Sequence, residues 1–258
     1  MVEKINNLKI NNVAMLTYGL IGKNISYSFS QAYFTQKFND LHLDKHQYLN
    51  FDLQDVKLLK SVLKKYKNIK GLNVTIPYKQ AILPYLDSIT DDAKQIGAVN
   101  TIKITDDKLI GYNTDAYGFE MSLKSVCNET GGLALILGSG GASKAVNYVL
   151  SKLGFEVIFV SRTLKNKQTI TYKDLTKKVI EKTKLIINCT PLGTYPKVDT
   201  LPNIPYQYLH KNQILFDLVY NPPQTQFLTR GLAKGTLIKN GYDMLVFQAE
   251  KSWKIWNS

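Results

Sequence analysis

The chain of 258 residues has little of what several functions require. Its two cysteines, Cys127 and Cys189, are too few for a disulfide framework at this length. Cys189 closes the apolar run Leu185-Ile186-Ile187-Asn188, which reads as a buried strand, so it is taken as a small core residue rather than a reactive thiol. The three histidines are His42, His46 and His210. His42 and His46 stand four apart, but no third ligand or glutamate-containing zinc pattern accompanies them. They read as solvated surface residues, and metal catalysis has no support. No apolar run approaches the roughly 20 residues that cross a bilayer. Met1 to Asn12 is polar and lacks the apolar stretch of a signal peptide, so the expectation is a cytoplasmic protein that does not engage membranes. Arginine is almost absent: Arg162 and Arg230 are the only two. The formal charge of +13 therefore rests on lysines scattered over polar helix faces. Readers of nucleic acid rely on bidentate arginine and interleaved aromatics. Neither pattern occurs, so nucleic acid is not an expected partner, and the lysines form a solvated surface that helps draw in anionic ligands.

Hydrophobic residues make up 44% of the chain, enough to bury a sizeable core, and the length suits two domains. Strand-like and helix-like stretches alternate in the first half. Met15 to Ile21 reads as a strand, Gln31 to Leu41 as a helix and His46 to Phe51 as extended. Val56 to Tyr66 reads as a lysine-rich amphipathic helix, and Gly71 to Ile76 as a strand stopped by Pro77. The alternation predicts a parallel α/β sheet. The pattern restarts with a strand at Leu133 to Leu137, a helix from about Ala142 to Leu153 with Gly154 at its cap, and a strand at Glu156 to Val160. Further buried strands follow at Leu185 to Asn188 and Ile214 to Val219. A boundary near Tyr117 separates the halves, and Met244 to Trp256 is helical in period.

Between the first strand and helix of the second half lies Gly138-Ser139-Gly140-Gly141-Ala142-Ser143. In that context Gly138 permits a tight turn and Gly140 lets backbone approach a pyrophosphate. The helix N-terminus presents free N–H groups to the phosphates. Ser143 stands where the usual fingerprint has a third glycine. The next strand ends in Ser161-Arg162-Thr163, where an NAD reader places an acid for the ribose 2′-hydroxyl. An acid would repel a 2′-phosphate, whereas arginine grips one. The expected cofactor is NADP.

Four polar clusters fall at ends of the predicted strands of the first half: Ser26-Tyr27-Ser28-Phe29-Ser30, Asn73-Val74-Thr75-Ile76-Pro77-Tyr78-Lys79, Gly97-Ala98-Val99-Asn100-Thr101 and Asn113-Thr114-Asp115. Asn188-Cys189-Thr190-Pro191-Leu192-Gly193, Asp217-Leu218-Val219-Tyr220-Asn221-Pro222 and Gly241-Tyr242-Asp243-Met244-Leu245-Val246-Phe247-Gln248-Ala249 follow in the second. Taken with the glycine turn and in this order, they resemble the shikimate dehydrogenase family from about Met15 to the C-terminus. The resemblance implies two α/β domains: a substrate-binding domain over 1–116, completed by 240–258, and a Rossmann-type NADP-binding domain over 117–239. The C-terminal helix returns to the first. It implies reversible NADPH-dependent reduction of 3-dehydroshikimate to shikimate; whether the chain works as a monomer or homodimer is left open by the sequence.

Residue by residue, Lys79 and Asp115 match the family's catalytic pair. Ser28 and Ser30 match its carboxylate contacts, and Asn73, Thr75, Asn100, Tyr220 and Gln248 its substrate pocket. Gly138, Ser139, Gly140, Gly141 and Ala142 match the pyrophosphate site, and Ser161, Arg162 and Thr163 the 2′-phosphate site. Thr190, Leu218, Gly241 and Met244 match positions near the nicotinamide, and Asp91 a further cofactor position at the cleft. The family more often has Pro-x-x-His-Ser-x-Ser-Pro in the first cluster. Here Asn24 to Gln31 keeps both serines but lacks the two prolines and the histidine, which makes that loop less rigid. Ser161 replaces a commoner asparagine, and residues 1–14 precede the usual start. A relative of broader specificity that also takes quinate, and a non-catalytic nucleotide-binding protein, are the alternatives; the presence of Lys79 and Asp115 speaks against the second.

Overall fold

The structure is a computed structural model that describes residues 14–25, 28–164 and 169–258. Residues 1–13 of the N-terminal extension, and Ser26 and Tyr27 of the first polar cluster, lie outside the described residues. The first half runs β1 (Leu16–Gly22), α1 (Phe29–Asp40), β2 (His46–Asp52), α2 (Leu59–Lys65), β3 (Ile69–Val74), α3 (Tyr78–Ala81), β4 (Ser88–Ile89), α4 (Asp91–Ile96), β5 (Thr101–Thr105), β6 (Lys108–Tyr112) and α5 (Thr114–Lys124). The second half runs β7 (Gly132–Leu137), α6 (Gly141–Lys152), β8 (Phe155–Ser161), β9 (Thr169–Thr171), α7 (Lys177–Lys182), β10 (Thr183–Asn188), β11 (Ile214–Asp217), α8 (Gln226–Leu232), β12 (Leu237–Lys239) and α9 (Tyr242–Trp256).

The first half forms a six-stranded sheet in the order β2-β1-β3-β5-β6-β4. It is mixed, which corrects the expectation of a parallel sheet. β1 pairs in parallel with β2 and β3, but β5 runs antiparallel to both β3 and β6. The cause is local. β5 and β6 are joined by Asp106-Asp107 alone, both at positive φ (47° and 59°), and a two-residue connection can only join antiparallel neighbours. β3 also ends at Val74, two residues before the predicted end, and the chain leaves the sheet as the turn that presents Lys79.

The second sheet has the order β12-β11-β10-β7-β8-β9, and every adjacent pair is parallel. Its central strands are apolar and buried on both faces, as a helix-covered parallel sheet requires. The winding reverses between β7 and β10. Ligands of such sheets bind outside the carboxyl ends of the strands at that reversal.

Helix α9 ties the halves together. It crosses α5 at Gly118, where a Cβ would lie 2.5 Å from the Met244 carbonyl oxygen and 3.0 Å from Gln248 Cβ. Its far end returns to the first sheet. The Trp256 ring lies over Gly71 of β3, and its Nε1 donates to the Ile102 carbonyl at 3.0 Å. Between them, the buried Ser252 hydroxyl meets Thr101, Thr114 and Asn73 within 3.1 Å. One histidine is not the solvated surface residue expected. His46 stacks on Tyr18 (ring centroids 5.9 Å apart) within a cluster that includes Phe38 and Trp253. Burial there lowers its pKa.

Candidate active site between the sheets

Lys79 and Asp115 come from separate stretches that the first sheet brings together. Pro77 and Tyr78 turn the chain after β3 into the short helix α3, which carries Lys79. The Lys79 carbonyl accepts from the Val99 N–H at 2.8 Å, fixing α3 against the segment before β5. Asn113 caps α5 by accepting from the Ala116 N–H at 3.1 Å, and its amide donates to the Ala98 carbonyl at 2.9 Å. The first turn of α5 then carries Asp115. Lys79 Nζ donates to Asp115 Oδ2 at 2.6 Å, and Asn100 Nδ2 donates to Asp115 Oδ1 at 2.9 Å. The two charged side chains are only 14% and 7% exposed. A pair so shielded from water is held more firmly than a surface ion pair, and an ammonium fixed there is an aimed proton donor.

The pair borders a cleft of about 540 Å³ whose walls come from both halves of the chain. Ser28, Ser30, Asn73, Thr75, Asn100, Tyr220 and Gln248, all expected from sequence, line it together with Lys79 and Asp115. Ser28 is the N-cap of α1 and accepts from the Ser30 N–H at 3.2 Å, so both serines sit at that helix's start. Two of these side chains are tied inside the wall: Asn100, whose amide donates to Thr114 and Asp115 at 2.9 Å, and Asn73. The Asn73 amide is committed to Tyr48 (2.8 Å), Thr101 (3.2 Å) and Ser252 (3.0 Å), so it braces the wall more than it faces outward. Lys23, Phe29, Ile76 and Leu245 also line the cleft without having been singled out from sequence. Lys23 carries a usable signal, because it directly follows β1 at the carboxyl edge of the sheet.

On the second sheet the glycine turn behaves as its sequence implies. Gly138 has φ +101°, and a Cβ there would meet Thr190 Cγ2 at 3.0 Å, so turn and Thr190 are neighbours. Gly140 caps α6, and a Cβ on it would meet nothing within 4 Å, which leaves space directly above the turn. Ser143, in place of a third glycine, is buried and donates to the Gly140 carbonyl at 2.7 Å, pinning the turn to its helix. Ser139 lies within the turn. Ser161 ends β8, and Arg162 and Thr163 follow it exposed. Arg162 pairs with no carboxylate among the described residues. Ala142, Leu218, Gly241 and Met244 line the cleft itself, with Gly241 pressed against the Leu218 backbone. Asp91 stands in the exposed first turn of α4 and is not among the cleft-lining residues.

Electrostatics single out one group beside the cleft. Asp217, at the end of β11, is fully buried, and burial pushes its pKa up to about 6 against three hydrogen bonds that favour its charged form. Cys189, just past β10, has its thiol pKa raised by burial and by Asp217, which makes it inert at neutral pH. Among the described residues, no three histidine, cysteine, aspartate or glutamate side chains form a group that could hold a metal ion.

Comparison with known proteins shows the family. A family model described as the shikimate dehydrogenase substrate binding domain matches residues 20–102. The NADP(+) shikimate dehydrogenase of Clostridium beijerinckii is 42% identical over 93% of this chain and 91% of its own. A solved shikimate dehydrogenase in complex with NADP+ superposes with TM-score 0.85 at 34% identity, covering 94% of this chain and 90% of that one. The Thermus thermophilus shikimate 5-dehydrogenase in complex with NADP(H) and shikimate gives TM-score 0.82 at 30% identity, covering 94% and 93%.

Proposed function

Because the chain belongs to the shikimate dehydrogenase family, we propose that it catalyses the reversible, NADPH-dependent reduction of 3-dehydroshikimate to shikimate. The observation that carries this reading is the shielded Lys79–Asp115 pair, 2.6 Å apart, on a cleft whose far wall includes Ala142 of the nucleotide turn.

The residues of the second sheet fit the cofactor. Open space above Gly140, the N-terminus of α6 and the exposed Arg162 at the end of β8 suit a pyrophosphate and a 2′-phosphate. Gly138 to Ala142 would hold the first, and Ser161, Arg162 and Thr163 the second. Thr190, Leu218, Gly241 and Met244 would border the nicotinamide, with Asp91 a more peripheral contact. NADPH, when bound, supplies the hydride that reduces the substrate carbonyl. Ser28 and Ser30 bind the substrate carboxylate. Thr75, Asn100 and Gln248 hold its ring hydroxyls, with Tyr220 lining the same pocket and Asn73 bracing it. As negative charge builds on the carbonyl oxygen, the Lys79 ammonium stabilises it and gives up a proton to it; in the reverse direction Lys79 takes that proton back. Asp115 keeps the ammonium aimed.

The reading divides the chain into a substrate unit, 1–116 with 240–258, and a cofactor unit, 117–239. It takes the protein to act in the cytoplasm as a monomer or homodimer. The test is oxidation of shikimate and of quinate with NADP+ and with NAD+, followed by absorbance. Shikimate with NADP+ should be the preferred combination. Equal efficiency with NAD+ would overturn the cofactor assignment, equal efficiency with quinate the substrate assignment, and no turnover in any combination the enzyme. Lys79→Ala should lower kcat by about a hundredfold or more, with a much smaller change in KM.

A further inference from the structure

Adjacent glycines of the nucleotide turn meet different surroundings. A Cβ on Gly140 would enter open space, whereas a Cβ on Gly141 would stand 3.1 Å from Lys79 Cβ and 3.3 Å from Lys79 Cδ. Carbon atoms at their optimal separation sit about 3.5–4.0 Å apart. The first residue of α6 therefore lies against the stem of a lysine carried by the other half of the chain. That lysine is otherwise held at both ends: its carbonyl accepts from the Val99 N–H at 2.8 Å, and its Nζ donates to Asp115 at 2.6 Å. The α6 N-terminus flanks the stem between these two ends. Gly141 is not kept for backbone reasons, since its φ lies outside the left-handed region and alanine is the better helix former.

We propose that Gly141 is a positioning residue for the reaction: its missing side chain seats the Lys79 stem so that the ammonium stays on Asp115 and on the reacting oxygen. The inference rests on the catalytic reading of Lys79. It makes the cofactor turn and the proton donor one mechanical unit, because a shift of the α6 N-terminus shifts the lysine. A methyl group at 141 pushes the stem by a few tenths of an ångström, and Nζ is displaced along with it.

The test compares Gly141→Ala with Gly140→Ala and Lys79→Ala in the full chain. Three quantities are measured: kcat at saturating shikimate and NADP+, Kd for NADP+ by direct titration, and the thermal midpoint. Gly141→Ala keeps the backbone N–H that would face the pyrophosphate, so it should lower kcat about tenfold while Kd for NADP+ rises by much less and the midpoint does not fall. Gly140→Ala points its methyl group at the phosphate site, so its effect should be a raised Kd. The proposal is overturned if kcat of Gly141→Ala stays within about twofold of the parent, or if its Kd rises as far as its kcat falls. If Lys79→Ala keeps its turnover, the catalytic reading itself fails. If Lys79→Ala collapses and Gly141→Ala does not, only the positioning role fails.

Discussion

At the scale of single residues, Asp217 shows a side chain whose chemistry depends on its surroundings. Its Oδ1 accepts from Asn188 Nδ2 at 2.9 Å and from the Val219 N–H at 3.0 Å, and its Oδ2 accepts from Thr225 Oγ1 at 2.6 Å. It thereby ties the end of β10, next to Thr190, to the segment carrying Leu218 and Tyr220. Burial still wins over these donors, lifting the pKa from the ordinary 3.8 to about 6. Cys189 and Tyr206 also face it, both held neutral by raised pKa values. A carboxyl whose folded pKa is raised stabilises the fold fully below its unfolded pKa, and that contribution is lost as pH rises through the folded value. For Asp217 the window runs from about pH 4 to pH 6 and is worth about 3 kcal/mol. In denaturant titrations, the stability of Asp217→Asn minus that of the parent should therefore grow across this window. A difference that shrinks, or stays flat, would refute the account. The sequence places Asp217 in a strand expected to be buried, but not the hydrogen-bond donors that burial has to outweigh.

At the scale of elements, the crossing of α5 and α9 decides where Gln248 sits. The neighbour of Gly118 is the Met244 backbone oxygen, which cannot swing aside. Gly118→Ala should thus displace α9 and lower stability by about 1–3 kcal/mol, with a rise in KM for shikimate as Gln248 moves. A thermal midpoint and KM equal to the parent's would show that the helices accommodate the methyl group. The elements that the sequence pattern leaves unmarked have physical reasons to be so. Helix α5 is packed by α9 on one side and α6 on another, and it buries Ala116, Phe119 and Leu123 along with Thr114, Asp115 and Ser122. Ala116, Phe119 and Leu123 share one face, but the polar residues buried beside them blur its contrast with the solvent side. β9 and β12 are three residues each, too short to show a period of two. The β5–β6 hairpin is turned by Asp-Asp where Asn-Gly or Asp-Gly is the stronger signal. By contrast β7, α6 and β8 are long and strongly patterned, and they lie where the sequence predicts them.

Across the whole molecule, the cleft is closed at two places. Lys79 meets Gly141 on one side. On the other, Phe29 of α1 packs edge-on against Tyr220 of the second half (centroids 5.7 Å apart) and against Tyr242 at the start of α9 (5.9 Å). Tyr33, stacked on Phe29, hydrogen-bonds Glu250 of α9, which also takes Lys37 at 2.7 Å. The start of α1, with Ser28 and Ser30, is thus clasped to both α9 and the second half. An aromatic contact of this kind is worth about 0.5–1.5 kcal/mol beyond its buried area. Phe29→Ala should accordingly raise KM for shikimate about threefold to tenfold and leave Kd for NADP+ in the absence of shikimate unchanged. A KM equal to the parent's would mean that Phe29 plays no part in closing the cleft.

Local chemistry needs only neighbours in the chain. The sequence by itself therefore determined the strand–glycine turn–helix unit at Gly138, the cap at Gly154 and the arginine at Arg162, and through its family resemblance most of the polar groups bordering the cleft. The rest depends on contacts between residues far apart in sequence, which no local pattern encodes. Tertiary structure alone decided that the first sheet is mixed, that His46 is packed among aromatic rings, that Asn73 spends its amide inside the wall, and that Gly141 lies against Lys79.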